Sequence, residues 1–318
     1  MKKRLLSAVM ASAMVLSLAA CGGAKTETTA AETTAEKKEE TTTAGTTAAE
    51  TAEAAGGTLI VGFDQDFPPM GFVGDNGEYT GFDLDLAKEV ASRLGLEYKA
   101  QPVAWDSKDM ELESGNIDCI WNGFTMNGRE DDYTFSVPYV DNSQVIVVAD
   151  NSGIEKLTDL AGKTVGVQAA SAALDLLQSE EEGGQKELAD TFGALNEFAD
   201  YNTAFTELQA GALDALAIDI GVAKYQLNSR GEGFKILDET LNTEQYAIGF
   251  KKGNDELCDI VNADLQKLAD DGTVAELAEK YEIADMVTLK ASDDADAKED
   301  TEEASDDAAA EETSEDAE

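Results

Sequence analysis

The residues able to do chemistry in this chain are acids and amides placed where apolar runs end. Asp64 follows Leu59-Ile60-Val61, and Asn122 follows the apolar stretch from Ile117 to Trp121. Gln168 follows Thr164-Val165-Gly166-Val167, and Asp219 ends Ala215-Leu216-Ala217-Ile218. Side chains of this kind suit binding: a carboxylate accepts hydrogen bonds from cations and N–H groups, and an amide both donates and accepts. Means for catalysis are thin. The chain has no histidine, which removes the commonest general base and metal ligand. A catalytic reading would have to rest on Asp64, Asp66 and Asp106. Beyond Cys21 the cysteines are Cys119 and Cys258, both in apolar-periodic segments and without CxxC or Cys/His spacing. Free buried thiols are therefore expected rather than a disulfide, with no zinc site and no cofactor.

The elements that must position these residues alternate between strand and helix. Leu59–Val61 reads as a buried strand. Phe82, Leu86, Val90 and Leu94 recur every four residues, which predicts a helix with one apolar stripe, Asp83 capping its start and Gly95 ending it. Strands are expected over Leu96–Val103, Ile117–Trp121 and Gln144–Val148. A second series has strands at Thr164–Val167, Ala215–Ile218 and Tyr246–Phe250, with helices from Ser171, around Phe205 and Leu208 up to Gly211, over Leu257–Leu268, and after Gly272. Such alternation implies an α/β fold with mostly parallel sheet. Ligands on such sheets sit beyond the carboxyl ends of strands, where the acids and amides stand.

The two ends are different in kind. Lys2, Lys3 and Arg4 precede an apolar run to Leu18 and then Ala19-Ala20-Cys21, the pattern of an export signal over residues 1–20. Leu18-Ala19-Ala20-Cys21 resembles the bacterial lipobox, which makes Cys21 the expected site of lipidation and places the protein outside the cytoplasm on a membrane anchor. Residues 21–57 are almost only Thr, Ala, Glu, Lys and Gly after the cysteine. With so little to bury they are expected to form a tether, its r.m.s. reach roughly 30–36 Å. From residue 291 to 318 the chain is an acidic low-complexity tail. The net charge of −43 argues against nucleic acid as a partner, since phosphate binding needs Lys/Arg clusters.

A resemblance becomes specific across the middle of the chain. Asp64-Gln65-Asp66-Phe67-Pro68-Pro69-Met70-Gly71-Phe72 and Gly81-Phe82-Asp83-Leu84-Asp85-Leu86-Ala87 resemble the opening of the amino-acid-binding proteins of ABC importers, the family 3 type of periplasmic binding protein. Gly115-Asn116-Ile117-Asp118, Trp121-Asn122-Gly123-Phe124-Thr125, Arg129 and Phe135-Ser136-Val137-Pro138-Tyr139 continue it in order, as do Leu157–Lys163 and Gln245–Phe250. The resemblance implies two Rossmann-like α/β lobes joined by a two-segment hinge, the type II periplasmic binding protein fold. The crossings fall near Tyr139–Ser143 and Asn242–Tyr246. The first lobe takes residues 58–142 and 243–290, and the second takes 143–242.

The same resemblance implies a monomer that captures a small polar amino acid and hands it to a transporter permease. Arg129 would clamp the ligand carboxylate with Thr125 and nearby backbone N–H groups, and Gly123 would let the backbone approach closely. Gln168 and Ser171 would add donors from the second lobe. Asp219 would take the ammonium. Asp64 would meet the ammonium or a ligand side chain, Phe67 and Trp105 would sandwich the ligand stem, and Asn122 would add a hydrogen bond. One departure stands out: the segment Thr125-Met126-Asn127-Gly128-Arg129 is one residue shorter than the family pattern, which implies a tightened turn at Asn127-Gly128. Other readings are an enzyme on the same scaffold, resembling the dehydratase relatives of this fold, and the sensing subunit of a receptor. The ligand's identity is not legible; the sequence reading leans to a polar neutral or sulfur-containing amino acid.

Overall fold

The computed structural model describes residues 57–292. The expected signal segment, Cys21, the tether through residue 56 and the tail from residue 293 lie outside the described residues. Strand β1 (Thr58–Phe63) is followed by a small antiparallel sheet of Asp66–Phe67, Gly71–Val73 and Tyr79–Thr80. Helix α1 (Phe82–Arg93), β2 (Glu97–Pro102), α2 (Lys108–Glu113), β3 (Cys119–Ile120) and β4 (Tyr133–Phe135) come next. The long strand β5 (Val140–Ala149) leads to β6 (Thr164–Gln168), α3 (Ala172–Gln178), β7 (Ala194–Phe198), α4 (Tyr201–Gln209) and β8 (Ala215–Asp219). Then come α5 (Ile220–Arg230), β9 (Phe234–Ile236), β10 (Asn242–Tyr246), β11 (Gly249–Lys251), α6 (Asp255–Asp270) and α7 (Thr273–Lys280).

Two sheets organise these elements. The first runs β2-β1-β3-β11-β4 and the second β7-β6-β8-β5-β9, with β10 also paired to β5. Neither is as parallel as the alternation suggests. In the first sheet β11 is antiparallel to β3 and β4, and in the second β5 is antiparallel to β8, β9 and β10. The chain passes between the sheets twice, from β4 into β5 and from β10 into β11. These crossings lie side by side, because Asn142 pairs with Glu244 and Val140 with Tyr246 in the β5–β10 ladder. That ladder explains why Tyr246–Phe250, expected as one strand, is two. Tyr246 ends the pairing with β5, Ala247 N–H donates to the Phe124 carbonyl at 3.0 Å, and Gly249 begins the pairing with β3 and β4.

The apolar stripe of α1 is buried as its spacing predicts: Phe82, Leu86 and Val90 are fully enclosed. Gly95 follows the helix at φ 69°, a left-handed position that glycine adopts without strain. Asp83, however, does not cap. The N-cap position is Gly81, with no side-chain capping bond. The Asp83 carboxylate instead points inward, accepting from Gly123 N–H at 2.6 Å and from the Tyr139 hydroxyl at 2.8 Å. It ties the helix to the loop after β3 and to the start of the first crossing. Cys119 and Cys258 are free and buried, and burial pushes both thiols up.

Burial pushes the Asp83 carboxyl up to about 7, against its two hydrogen bonds, which favour the charge. A folded-state value above the unfolded one gives stability that is full below about pH 4 and lost as pH rises through about 7. Urea denaturation should therefore show the stability advantage of wild type over Asp83→Asn shrinking across that interval. Asp83→Ala, which strands a buried N–H and a buried hydroxyl, should cost about 2–5 kcal/mol.

Candidate ligand-binding site

The loop after β1 and the segment after β3 build one wall. Asn122 Oδ1 accepts Asp64 N–H at 2.9 Å, which fixes the two segments together, and Asn122 Nδ2 is buried without a partner. Gly123 sits at φ 56°, and a Cβ there would stand 2.8 Å from Phe67 Cε1 and 3.0 Å from Tyr246 Cε2. Two aromatic rings thus close on the bare backbone, a contact open only to glycine. Trp105 is buried, with the Lys108 ammonium 5.2 Å from its ring centroid. Met126 to Arg129 forms a tight turn, closed by Arg129 N–H to the Met126 carbonyl at 3.0 Å with Gly128 at φ 79°. This turn lays the Arg129 guanidinium over the Phe124 ring, 5.0 Å from its centroid.

The second wall meets the first through polar pairs. Gln168 Nε2 donates to Asp64 Oδ2 at 2.6 Å, Asn202 Nδ2 to Asp66 Oδ1 at 2.7 Å, and Lys108 Nζ to the Ala170 carbonyl at 3.3 Å. Arg129 Nη2 pairs with Asp175 Oδ2 at 2.7 Å. The Phe67 and Tyr201 rings stand 6.0 Å apart across the same seam. Burial dominates the electrostatics: it raises Asp64 to about 6, opposed by the Asp66 N–H and the Gln168 amide, and it lowers Lys108 from its ordinary value.

Between the walls, the crossing strands carry a buried network. Asn142 Nδ2 and Gln144 Nε2, from β5, each lie 2.8 Å from both Asp219 Oδ1 and Glu244 Oε1. Tyr246 donates its hydroxyl to Asp219 Oδ1 at 2.7 Å, and Thr125 donates its own to Glu244 Oε1 at 2.8 Å. Burial and then repulsion from Glu244 push Asp219 up to about 7, against the Tyr246, Gln144 and Asn142 donors.

All ten sequence-derived positions lie in or beside this seam, but several spend their groups differently from expectation. The Ser171 hydroxyl caps α3, accepting Leu174 N–H at 3.2 Å and donating to the Gln168 carbonyl at 2.8 Å, so its donor is used within its own lobe. The Thr125 hydroxyl serves Glu244, and Arg129 divides its fork, Nη2 to Asp175 and Nη1 to the Thr125 carbonyl. Asp219 begins α5 without a side-chain capping bond and stands in the hinge network instead. The seam opens to two separate cavities. One of about 630 Å³ is lined by Lys108, Thr125, Arg129, Asp175 and Glu244; another of about 460 Å³ is lined by Asp64, Asp66, Trp105 and Asp106. Sequence reading missed Lys108, Asp175, Glu244, Asn142, Gln144 and Tyr201. Only Glu244 carried a signal, its place one residue before the matched block Gln245–Phe250.

Comparison with known proteins places these features in a family. The pattern of the bacterial extracellular solute-binding proteins, family 3, matches residues 59–284. The L-cystine-binding protein TcyJ of Escherichia coli (strain K12) is 31% identical over 233 residues, covering 72% of this chain and 84% of that protein. The arginine-binding extracellular protein ArtP of Bacillus subtilis (strain 168) is 33% identical over 228 residues, covering 70% and 85%. Among solved structures, an ABC uptake transporter substrate-binding protein from Streptococcus pneumoniae with bound histidine superposes with a TM-score of 0.70 at 33% identity, covering 75% of this chain and 97% of that one.

The crowding at Gly123 gives a test independent of any ligand. Gly123→Ala should cost about 1–3 kcal/mol, through backbone strain and displacement of the Phe67 and Tyr246 rings. Chemical denaturation monitored by tryptophan fluorescence measures it.

Proposed function

This chain belongs to the family 3 bacterial extracellular solute-binding proteins, and from that premise we propose that it captures an amino acid between its lobes and delivers it to the permease of an ABC importer. One observation carries the reading: a half-buried guanidinium and a buried carboxylate, from different lobes, are joined along one short path. Arg129 Nη1 donates to the Thr125 carbonyl at 3.3 Å, the Thr125 hydroxyl reaches Glu244, and the Glu244 donors also hold Asp219. A zwitterion needs a cation at one end and an anion at the other, since charges removed from water cost several kcal/mol each unless paired.

In this reading Arg129 takes the ligand carboxylate bidentately, exchanging its partner Asp175 for it. Asp219 takes the ammonium. Phe67 and Trp105 flank the stem, and Asp64, Asn122, Gln168 and the backbone about Gly123 and Thr125 complete the polar contacts. The role is binding, not catalysis, as the names of the cystine- and arginine-binding relatives support. Export and lipidation at Cys21 would hold the protein outside the cytoplasm on the membrane, as a monomer close to its transporter.

An amino-acid panel screened by thermal shift should yield a ligand that, at 100 times its Kd, adds about 2.7 kcal/mol of stability. Titration calorimetry with that ligand should show Arg129→Ala weakening binding by more than about 2 kcal/mol, with little change in the melting temperature of the protein alone; unchanged affinity removes Arg129 from the site. In cells fed labelled palmitate, label should enter the full chain and be absent from Cys21→Ser.

A further inference from the structure

Asp219 and Glu244 present an unusual problem in charge. Both are 4% exposed and both accept from the same two amides, Asn142 Nδ2 and Gln144 Nε2. Two carboxylates that share donors are close enough to repel strongly, and burial multiplies the repulsion. Among the described residues no lysine or arginine forms an ion pair with either acid. The nearby cations are engaged elsewhere: Arg129 with Asp175 at 2.7 Å, Lys224 with Asp285 at 3.1 Å, and Lys108 with Asp109 at 3.9 Å.

The other groups hydrogen-bonded to the pair are neutral. They are the phenols of Tyr246 and Tyr201, the latter 3.4 Å from Asp219 Oδ2, the Thr125 hydroxyl, and the Asn242 amide 3.4 Å from Glu244 Oε2. Both phenols are held well above their ordinary range by burial and by these acids, so they stay protonated donors. Asp141, Asp285 and Lys224 share with Glu244 the lining of a cavity of about 520 Å³; Lys224 is paired with Asp285, so this rim adds a net negative charge. The amide carbonyls Asn142 Oδ1 and Gln144 Oε1 are buried and accept nothing. The locus therefore has a surplus of acceptors and, among the described residues, no cation in ion-pair contact with either acid.

Resting on the capture reading above, we propose that Glu244 is a second acid of the ammonium site, and that it and Asp219 share one proton which the ligand's amino group displaces. The exchange balances. With the proton the pair carries one negative charge. When an –NH₃⁺ group arrives with its own protons, the shared proton leaves to water, and two carboxylates plus one ammonium again carry one negative charge. No bond to carbon forms or breaks. A primary ammonium, with three donors, also supplies hydrogen bonds where buried acceptors stand in excess. The raised Asp219 carboxyl, at about 7, sets where the exchange is felt: binding requires loss of a proton below that pH, so affinity falls as the medium acidifies.

Two measurements on the full chain decide it. Carbon-13 NMR of the Asp219 carboxyl, on the protein alone, should show a titration midpoint near neutrality that drops by on the order of one pH unit or more in Glu244→Gln, as expected when a like charge is removed. Calorimetry with L-arginine, L-histidine and L-cystine, in two buffers of different ionisation enthalpy, should show the one that binds releasing up to one proton. Its Kd should rise about tenfold from pH 8 to pH 6 by linkage, and this dependence should flatten in Glu244→Gln. Binding to wild type with no buffer dependence overturns the displacement, and does so even if the variant fails to fold. An Asp219 midpoint indifferent to Glu244→Gln overturns the sharing. If the acids titrate as a pair but no member of a full amino-acid panel binds, displacement falls together with the capture reading, while the shared proton stands.

Discussion

Glu244 is the point where both lobes and both crossing strands meet. One of its oxygens accepts from Thr125 on the first wall and from Asn142 and Gln144 on β5, and the same two amides hold Asp219 at the start of α5. The arrangement depends on register. Asn142 stands opposite Glu244 in the β5–β10 ladder, and alternation along a strand sends Asn142 and Gln144 to the same face. A slip of one residue would turn both amides away and leave two buried acids without their amide donors. The ladder is thus more than a connection between lobes: it sets the distance between the groups each lobe brings to the seam. A rearrangement of the lobes about these strands must either carry this network along or break hydrogen bonds to charged groups.

Charge is distributed unevenly along the seam. Asp64 and Asp219 are buried with carboxyls raised to about 6 and about 7, and Glu244 joins the second. The cations Lys108 and Arg129 border one cavity and lean on aromatic rings, Trp105 and Phe124. Such stacking supports a cation without neutralising it. The seam therefore has an acid-rich interior and a cationic flank, a polarity that suits the proposed pose of an amino acid, ammonium inward and carboxylate toward Arg129. The acidity of the whole chain does not produce this pattern. Position beyond strand ends does, with backbone turns such as Met126–Arg129 aiming the side chains.

What was legible in the sequence followed from periodicity and from ordered motifs. The spacing of Phe82, Leu86 and Val90 marks the buried face of α1, and the order of motifs from Asp64 to Phe250 points to two lobes and two crossings. Local rules failed where a side chain answers to distant partners. Asp83 has the type and place of a helix cap, yet its bonds go to Gly123 and Tyr139, 40 and 56 residues away. Ile117–Trp121 is as apolar as a full strand, yet only Cys119–Ile120 pairs in the ladder. Asp175 is an exposed acid on a short helix in a chain with 66 acids, and nothing in its neighbourhood marks it as the partner of Arg129. Glu244 stands one residue before the matched block Gln245–Phe250, but only the strand register sets it beside Asp219.

The Arg129–Asp175 pair shows why contact between the lobes and ligand capture are not the same event. The Arg129 side chain is 13% exposed and that of Asp175 is 61% exposed. An ion pair with so exposed a partner contributes little, about 0–1 kcal/mol, because water competes for the carboxylate. Released from Arg129, Asp175 regains full hydration cheaply, whereas in the capture reading proposed above a ligand carboxylate would meet the guanidinium between the two walls, where water is scarcer. Under that reading, exchanging one carboxylate for the other would favour the ligand, and the gain would exist only when both walls are in contact. The lobes can meet through weak pairs of their own, and an amino acid shifts that equilibrium by the difference between the partners it replaces and those it provides.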